Sequence, residues 1–211
     1  MIKKKSHISQ LIAQGEHQGL DFKFEISDSR KIARSISAFA NTDGGILLIG
    51  VKDNGKIAGV RSEEEIYMAE AAAQMYCKPA MNLKINQYTE EKKTVLEIII
   101  PKLGNEICYA LVDNNKWIAY VRVDDKNFQA SRVHLRVWKR TLKAYPTHIT
   151  YTEKEKMLLD YLTTNSFIAL HDFCVLAAIK KNIAETILVN MIMLGIIEIF
   201  YTEQEVLYRL K

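Results

Sequence analysis

Glycine, proline and cysteine are scarce in this sequence. Its 211 residues include 9 glycines, 3 prolines and 3 cysteines, while 48% are hydrophobic and 26% are charged. This composition excludes collagen-like and disordered chains and is typical of a water-soluble globular protein. The cysteines Cys77, Cys108 and Cys174 are odd in number and form no Cys-x-x-Cys pair. The sequence therefore indicates neither a disulfide framework nor a zinc ribbon.

Long hydrophobic runs are also missing. The longest apolar stretches, such as Ile46 to Val51, are far shorter than the roughly 20 residues that a membrane helix needs. Lys3, Lys4 and Lys5 are followed by a polar segment, where a secretory signal would place its apolar region. We therefore expect a cytoplasmic protein that has no membrane partner.

Charge is distributed unevenly along the chain. Residues 1–148 carry 23 lysines and arginines against 17 acidic residues, whereas residues 149–211 carry 6 against 8. The positive field therefore belongs to the first part. Pro146 and the four residues after it are the best linker candidate. We predict one domain over residues 1–145 and a second domain over residues 151–211.

The first part mixes helical and strand patterns. Apolar residues at helical spacing predict helices over 6–14 and 29–42, and Ile46 to Val51 does not alternate, which predicts a strand buried on both faces. The Asp53 to Lys56 turn is expected to return into a partner strand at Ile57 to Val60. Further strands and helices are predicted at Leu20–Phe24, Ser62 onward, Lys84–Gln87, Thr94–Ile100 and Trp117–Val123. We expect an α+β fold with a mixed or antiparallel sheet.

The second part has a different pattern. Thr152 and Glu155 form a capping box that starts a helix. Two more helices are predicted over Leu170–Ile179 and Ile183–Leu194, followed by a terminal hairpin. Three helices and a hairpin in about 60 residues are the layout of a winged helix-turn-helix domain.

A family resemblance emerges from one block of the first part. The block runs from Ala38 to Val60 and contains Asn41, Thr42, Gly44, Gly45 and Gly50, with Gly15 to Lys23 before it. It resembles the Schlafen-type Alba-like DNA-binding domain, and Tyr120 to Val123 matches the closing strand of that domain. The resemblance covers residues 5–135. It implies a nucleic-acid-binding α+β module, commonly followed in bacteria by a winged helix, and a homodimer because Alba-like folds commonly pair.

The same resemblance raises two questions of chemistry. The family has also been called ATP-binding, but Gly45 to Lys52 lacks the Gly-Lys-[Ser/Thr] sequence of a phosphate loop, so we predict no ATP site. In Schlafen proteins with RNase activity, two Glu five residues apart and a later Asp form a metal-dependent site. Glu16 and Asp21 reproduce that spacing, and Asp53 follows the buried strand. The resemblance thus implies a Mg²⁺ or Mn²⁺ site as an alternative to solvated charges and a simple turn residue.

Cations suited to phosphate occur in three groups. Arg132, Arg136, Arg140 and Lys143 recur at helical spacing, with Lys139 beside them, and predict a phosphate-binding stripe unless they form only a solvated helix face. In the second part, Glu185 interrupts the third helix, and dimer contacts or regulation of the first domain are the alternative to nucleic-acid binding there. The other candidates are Lys23, Arg30, Lys31, Arg34 and Arg122 near the family's core, and Lys180 and Lys181 with Asn182, Thr186 and Asn190 on the third helix.

Three functional hypotheses follow from these features. The first is a non-enzymatic transcriptional regulator that binds nucleic acid, DNA in preference to RNA, and needs no cofactor. The second is a metal-dependent endoribonuclease that uses Glu16, Asp21 and Asp53. The third is a protein-interaction module in which the winged helix mediates assembly. Only the second requires the three carboxylates to converge within reach of one metal ion.

Overall fold

A computed structural model describes residues 6–113, 115–143 and 151–211 of the protein. The chain divides into two compact units, of which the first ends at Gln129 and the second begins at Ala130. The three N-terminal lysines and the predicted linker at 146–150 lie outside the described residues. Among the described residues, no helix combines the length and apolarity that a membrane span requires.

The first unit is a mixture of helices and strands, as the sequence predicts. The class is α+β, and its sheets include both a mixed and an antiparallel one. Its elements in chain order are α1 (His7–Ile12), β1 (Leu20–Lys23), α2 (Ser29–Asn41), β2 (Gly45–Ile49), α3 (Glu64–Met75), β3 (Cys77–Lys78), β4 (Lys84–Glu90), β5 (Lys93–Ile100), β6 (Tyr109–Asp113), β7 (Lys116–Val123) and β8 (Lys126–Gln129).

The strand β2 lies inside a four-stranded sheet of order β1-β2-β5-β4. It pairs in parallel with β1 and antiparallel with β5. Leu47 packs with the core on the α2 side, whereas Leu48 packs with Ile8 of α1 in a second cluster. The expectation of a strand buried on both faces is therefore confirmed, and the absence of alternation in its sequence has this physical cause.

The helix α2 joins this sheet to a second one of order β3-β6-β7-β8. Asp28 caps the helix, since its Oδ1 accepts a hydrogen bond from the Arg30 N–H at 2.8 Å. Ile36 and Phe39 of α2 are fully buried in the main core of the unit. The helix packs against β6, β7 and α3. Burial of this apolar face fixes the helix relative to both sheets.

The segment Ile57 to Val60 is not the strand that we expected. It makes only an isolated bridge, between Val51 and Ile57. The Gly50 carbonyl accepts the N–H groups of Ala58 and Gly59, at 2.8 and 2.9 Å. The neighbours of β2 in its sheet are already β1 and β5, so the returning chain has no free strand edge beside β2.

The second unit contains the predicted helices and terminal hairpin. The capping box is confirmed, because the Glu155 carboxylate accepts the Thr152 N–H at 2.9 Å and the Thr152 side chain accepts from the first turn. A short strand that the sequence did not predict pairs with the last strand. The elements are α4 (Arg132–Lys143), α5 (Glu153–Thr164), β9 (Ile168–Ala169), α6 (Leu170–Leu176), α7 (Lys181–Met193), β10 (Ile197–Tyr201) and β11 (Val206–Leu210).

The helix α4 belongs to the second unit and not to the first. Its Val133 is 1% exposed and lies in one core cluster with Leu158 of α5 and Leu188 of α7. The predicted division at residue 145 placed this helix in the first domain, whereas the compact units divide at Gln129. The difference arises because apolar residues of α4 are buried among the helices that follow it.

Candidate functional site

The carboxylates Glu16 and Asp21 lie side by side at the start of β1. The Glu16 Oε1 accepts the Phe22 N–H at 2.8 Å. Asp21 is 3% exposed, and its two oxygens face Arg122 Nη2 at 3.3 Å and Lys23 Nζ at 2.7 Å. Both carboxylates are therefore engaged with groups of the protein itself.

The surroundings of Glu16 shift the pKa of its carboxyl group. Burial raises the pKa of Glu16, and the adjacent Asp21 carboxyl raises it further. The Phe22 N–H and the Lys23 ammonium oppose part of this rise because they favour the charged carboxylate. A raised pKa holds a larger share of Glu16 in the neutral form than an exposed glutamate would have.

The third predicted carboxylate does not join the pair. Asp53 lies exposed in the turn after β2. Within residues 6–113, 115–143 and 151–211, no three His, Cys, Asp or Glu side chains are close enough together to hold a metal ion. Magnesium and manganese need clustered oxygen ligands, and Asp21 already faces two cations. The residues present do not fit a Mg²⁺ or Mn²⁺ centre at Glu16, Asp21 and Asp53.

Arg122 of β7 is an interior cation. Its side chain is 1% exposed, and it donates to the carbonyls of His17 and Leu20, each at 3.1 Å. Its guanidinium carbon also lies 4.8 Å from the centre of the Phe39 ring. Arg122 ties the second sheet to the start of β1. The prediction that it contacts nucleic acid is wrong, because no part of its guanidinium is available at the surface.

The motif residues Asn41 and Thr42 connect α2 to the second sheet. The Asn41 side-chain amide donates to the carbonyls of Cys108 and Tyr120, at 2.8 and 2.9 Å, and its Oδ1 accepts the Cys108 N–H at 2.8 Å. The Thr42 hydroxyl accepts the Arg122 N–H at 3.0 Å. These side chains satisfy buried backbone groups of the loop before β6 and of β7.

The motif glycines allow close approach of the backbone. Gly44 has a φ of +73°, and a Cβ there would lie 2.8 Å from the Ile100 carbonyl oxygen. At Gly45 a Cβ would lie 2.5 Å from the Phe39 ring. Gly50, with a φ of +91°, lies against the backbone of Gly59. The motif is thus architectural, since each residue type is required by packing or by a backbone conformation.

An exposed aromatic ring with two cations lies just beyond β1, where the sequence analysis named no site. Phe24 is 40% exposed. The Lys52 Nζ lies 5.2 Å from its ring centre, and the Arg61 Cζ lies 5.7 Å from it. Lys52 is exposed, and the Arg61 side chain is 73% exposed with an ion pair to Glu25 at 3.1 Å. We call Phe24, Lys52 and Arg61 the Phe24 surface.

Backbone pairing brings these three residues together. The Lys23 carbonyl accepts the N–H groups of Gly50 and Val51, at 2.8 and 3.2 Å, which places Phe24 beside Lys52. Glu65 is 5% exposed and accepts the N–H groups of Ile26 and Arg61, at 3.3 and 3.0 Å. The buried Glu65 carboxylate thus holds the chain after Phe24 and the chain at Arg61 in a fixed relation.

Comparison with known protein families identifies the part of the chain that contains the residues described above. The model of the family Schlafen, AlbA_2 matches residues 16–131, which is more than half of the chain. The chain belongs to the Schlafen AlbA_2 family. The motif glycines, the buried Arg122 and the Phe24 surface all lie within the AlbA_2 match.

Two solved structures are similar to part of the chain. The DIP2311 protein of Corynebacterium diphtheriae shares 19% identity at a TM-score of 0.46, over 64% of this chain and 26% of that protein. The N-terminal domain of an ATP-dependent DNA helicase RecG-related protein from Nitrosomonas europaea shares 20% identity at a TM-score of 0.42, over 56% of this chain and 90% of that domain. No curated protein sequence matches the chain significantly.

The arginine stripe of α4 lies beyond the AlbA_2 match, and its arginines contact α7. Arg132 Nε and Arg136 Nη1 lie 3.3 and 3.5 Å from Glu185 Oε2. Arg136 Nη2 also donates to the Thr186 hydroxyl at 2.9 Å. Farther along, Arg140 Nη1 donates to Asn190 Oδ1 at 2.5 Å. Arg136 and Arg140 are therefore not free, because they pair with polar groups of α7, whereas the Arg132 side chain is 75% exposed. Phosphate binding by this stripe stays a prediction.

The pairing also covers the middle of α7. Glu185 is fully buried, and Thr186 and Asn190 serve as acceptors for α4. Thr186 and Asn190 are among the residues predicted to contact nucleic acid, and here they bond to α4. Of that group, Lys180, Lys181 and Asn182 at the N-terminal end of α7 are exposed.

The remaining predicted cations differ in exposure. The Arg30 guanidinium carbon lies 5.7 Å from the centre of the Tyr76 ring, and the Lys23 side chain is 38% exposed while paired with Asp21. Exposed members are Lys31, Lys139 and Lys143, and half-buried members are Lys23, Arg30 and Arg34.

Proposed function

We propose that this protein binds nucleic acid through the Phe24 surface of its AlbA_2 domain. The observation that carries the proposal is that two exposed cations lie over one exposed aromatic ring. Exposed aromatic rings interleaved with lysine and arginine are typical of surfaces that follow a phosphate backbone. DNA is the expected ligand, as the family resemblance implies.

The ring prepares the two cations for binding. Lysine and arginine side chains each lose rotamer freedom when they are fixed on a phosphate. The contacts of Lys52 and Arg61 with the Phe24 ring restrict both side chains before any ligand arrives. Less entropy is then lost on binding, and each neutralised phosphate releases counterions into solution.

We infer a winged-helix architecture for the second unit. The support is the order of three helices and a hairpin, with β9 added to the sheet in the order β10-β11-β9. Because α4 covers the middle of α7, we assign this unit to regulation or assembly in preference to reading the major groove. The role of transcriptional regulator remains a prediction.

Exposed apolar side chains favour assembly as a second function of this unit. Val175, Ile183 and Leu194 are 67%, 46% and 49% exposed. Burial of such side chains between two copies would stabilise the homodimer that the sequence analysis predicts. Light scattering should then give twice the chain mass of 24.2 kDa at micromolar concentration. A particle of the monomer mass would contradict the homodimer.

A salt titration tests the proposed binding surface. Fluorescence anisotropy with a labelled DNA oligonucleotide should show an affinity that falls linearly as salt rises on logarithmic axes. Replacing Lys52 and Arg61 by Ala should reduce the slope by about 1.4–1.8, since each lost phosphate contact is worth about 0.7–0.9.

The matched control removes two exposed lysines elsewhere in the same unit. Lys84→Ala with Lys116→Ala changes the net charge equally and should leave the slope nearly unchanged. Equal losses in the two double variants would show that binding responds to net charge alone, which would contradict a site at the Phe24 surface.

A further inference from the structure

A cavity of about 230 Å³ opens beside Arg61. It is smaller than the roughly 300–1,000 Å³ pockets that hold drug-sized ligands. Only a small group can therefore enter it. The side chains that line it are apolar at Val60, Ile66 and Leu96, and polar at Ser62, Gln87 and Thr94.

The walls of the cavity are held in place by the sheet. Gln87 of β4 lies opposite Leu96 of β5 in the antiparallel ladder. The Val60 N–H donates to the Thr94 carbonyl at 2.8 Å, which fixes the irregular segment against β5. The backbone of these walls is therefore in place before a ligand binds, and Gln87 and Thr94 contribute an amide and a hydroxyl to the lining.

The charged residues at the cavity indicate which chemical groups of a ligand would bind inside it and which would bind beside it. Arg61 and Glu63 both line the opening. The charges of Arg61 and Glu63 cancel within the lining, whereas Lys52 and Arg61 make the adjoining Phe24 surface attractive to a phosphate. A neutral planar group that is joined to a phosphate fits both conditions, and a nucleobase in a strand is such a group.

We infer that the Phe24 surface and this cavity together bind single-stranded nucleic acid. Phosphates lie at Lys52 and Arg61, and one unpaired base enters the cavity with its edge toward Gln87 and Thr94. This inference rests on the proposed function. A base in a duplex is stacked and paired, so it cannot enter the cavity without first leaving the helix. The site therefore selects single strands over duplexes and does not select a particular base sequence.

The test compares single strands with duplexes of the same sequence. Anisotropy of a labelled 12-mer, in DNA and RNA versions and at one salt concentration, should show single strands binding about tenfold tighter than duplexes. Thr94→Phe, which fills the cavity, should reduce single-strand affinity to the duplex level while the salt slope stays unchanged. Gln87→Leu replaces the amide by an apolar side chain of similar size, so it should weaken the binding of single strands and leave the binding of duplexes unchanged. Urea unfolding curves of both variants show that they are folded.

The outcomes separate the inference from the function on which it rests. If duplexes bind as tightly as single strands, or if both cavity variants keep single-strand affinity, the cavity holds no base and the inference is overturned. In that case loss of affinity in the Lys52→Ala, Arg61→Ala variant would still support the phosphate site. If wild type binds none of the four ligands, the proposed function itself fails.

Discussion

The buried carboxylate of Glu185 makes a specific prediction about stability. Glu185 is fully buried, and neither carboxylate oxygen has a hydrogen-bond partner within the described residues. Its nearby charges are Arg132, which is 75% exposed, and Arg136, which is 30% exposed. Arg136→Ala removes the more buried of these two cations and also the hydrogen bond to Thr186. The change should therefore destabilise the contact between α4 and α7.

The expected size follows from the exposure of each partner. Breaking a buried ion pair by removing one partner costs about 3–5 kcal/mol. Arg132 remains beside Glu185 in the variant, and water can reach part of the space that Arg136 leaves. We therefore expect a loss of about 2–3 kcal/mol in the free energy of unfolding of the second unit. Arg132→Ala should cost at most about 1 kcal/mol, because an exposed pair contributes little.

Urea unfolding followed by tryptophan fluorescence measures this loss. Trp138 lies in α4, whereas Trp117 lies in β7 of the first unit, so a Trp117→Phe background reports on the second unit. Glu185→Gln should restore at least half of the stability lost in Arg136→Ala, because the buried charge that is left with only the exposed Arg132 beside it is then gone. Equal small effects of the two arginine changes, or no rescue by Glu185→Gln, would refute this reasoning.

Two further predictions concern the first unit. Glu97 is buried, which favours its neutral form, but hydrogen bonds from His7 Nε2 at 2.6 Å and Asn86 Nδ2 at 2.8 Å lower its pKa below the ordinary 4.5. A lowered folded-state pKa stabilises the protein above pH 4.5, and this contribution is lost as the pH falls through the folded-state pKa. Glu97→Gln lacks this titrating group. In urea unfolding, the variant should therefore lose less stability than wild type between pH 7 and pH 3.5. Gly44→Ala should lower the free energy of unfolding by about 2 kcal/mol or more, because its Cβ would meet the backbone. Gly15 has a φ of +71° in open space, so Gly15→Ala should lower it by only about 1 kcal/mol. Equal decreases in melting temperature for the two variants would contradict the close approach at Gly44.

Much of the fold could be predicted from local sequence. Apolar periodicity located α2, β2 and the helices of the second unit within a few residues, because their buried faces impose that periodicity. The expected strand at Ile57 to Val60 failed because its place depends on which strands flank β2. That information is long-range, since β5 begins more than thirty residues after Ile57.

The candidate site was less predictable than the fold. Helical spacing correctly placed Arg132, Arg136 and Arg140 on one face, but spacing cannot tell whether a face meets solvent or another helix. The Glu185 that interrupts α7 was the available signal, since a carboxylate in an apolar helix implies a cationic partner.

The Phe24 surface had no comparable local signal. Phe24 lies far from Lys52 and Arg61 in the sequence. The parallel pairing of β1 with β2 brings Phe24 beside Lys52, and the buried Glu65 holds the chain at Arg61 near the chain after Phe24. The alternative of a carboxylate metal site could not be judged from spacing for a similar reason, because the partners of Asp21 come from β1 and from the distant β7.

An amide NMR titration tests the central claim that nucleic acid binds at the Phe24 surface. The full-length protein, labelled with nitrogen-15, is titrated with a single-stranded 12-mer at low salt. We expect the largest chemical-shift changes on residues 22–26 and 50–63, with small changes on α4 and α7. Changes concentrated on residues 132–143 and 181–193 would contradict it, because the arginines of α4 would then have left their partners on α7 to bind the ligand.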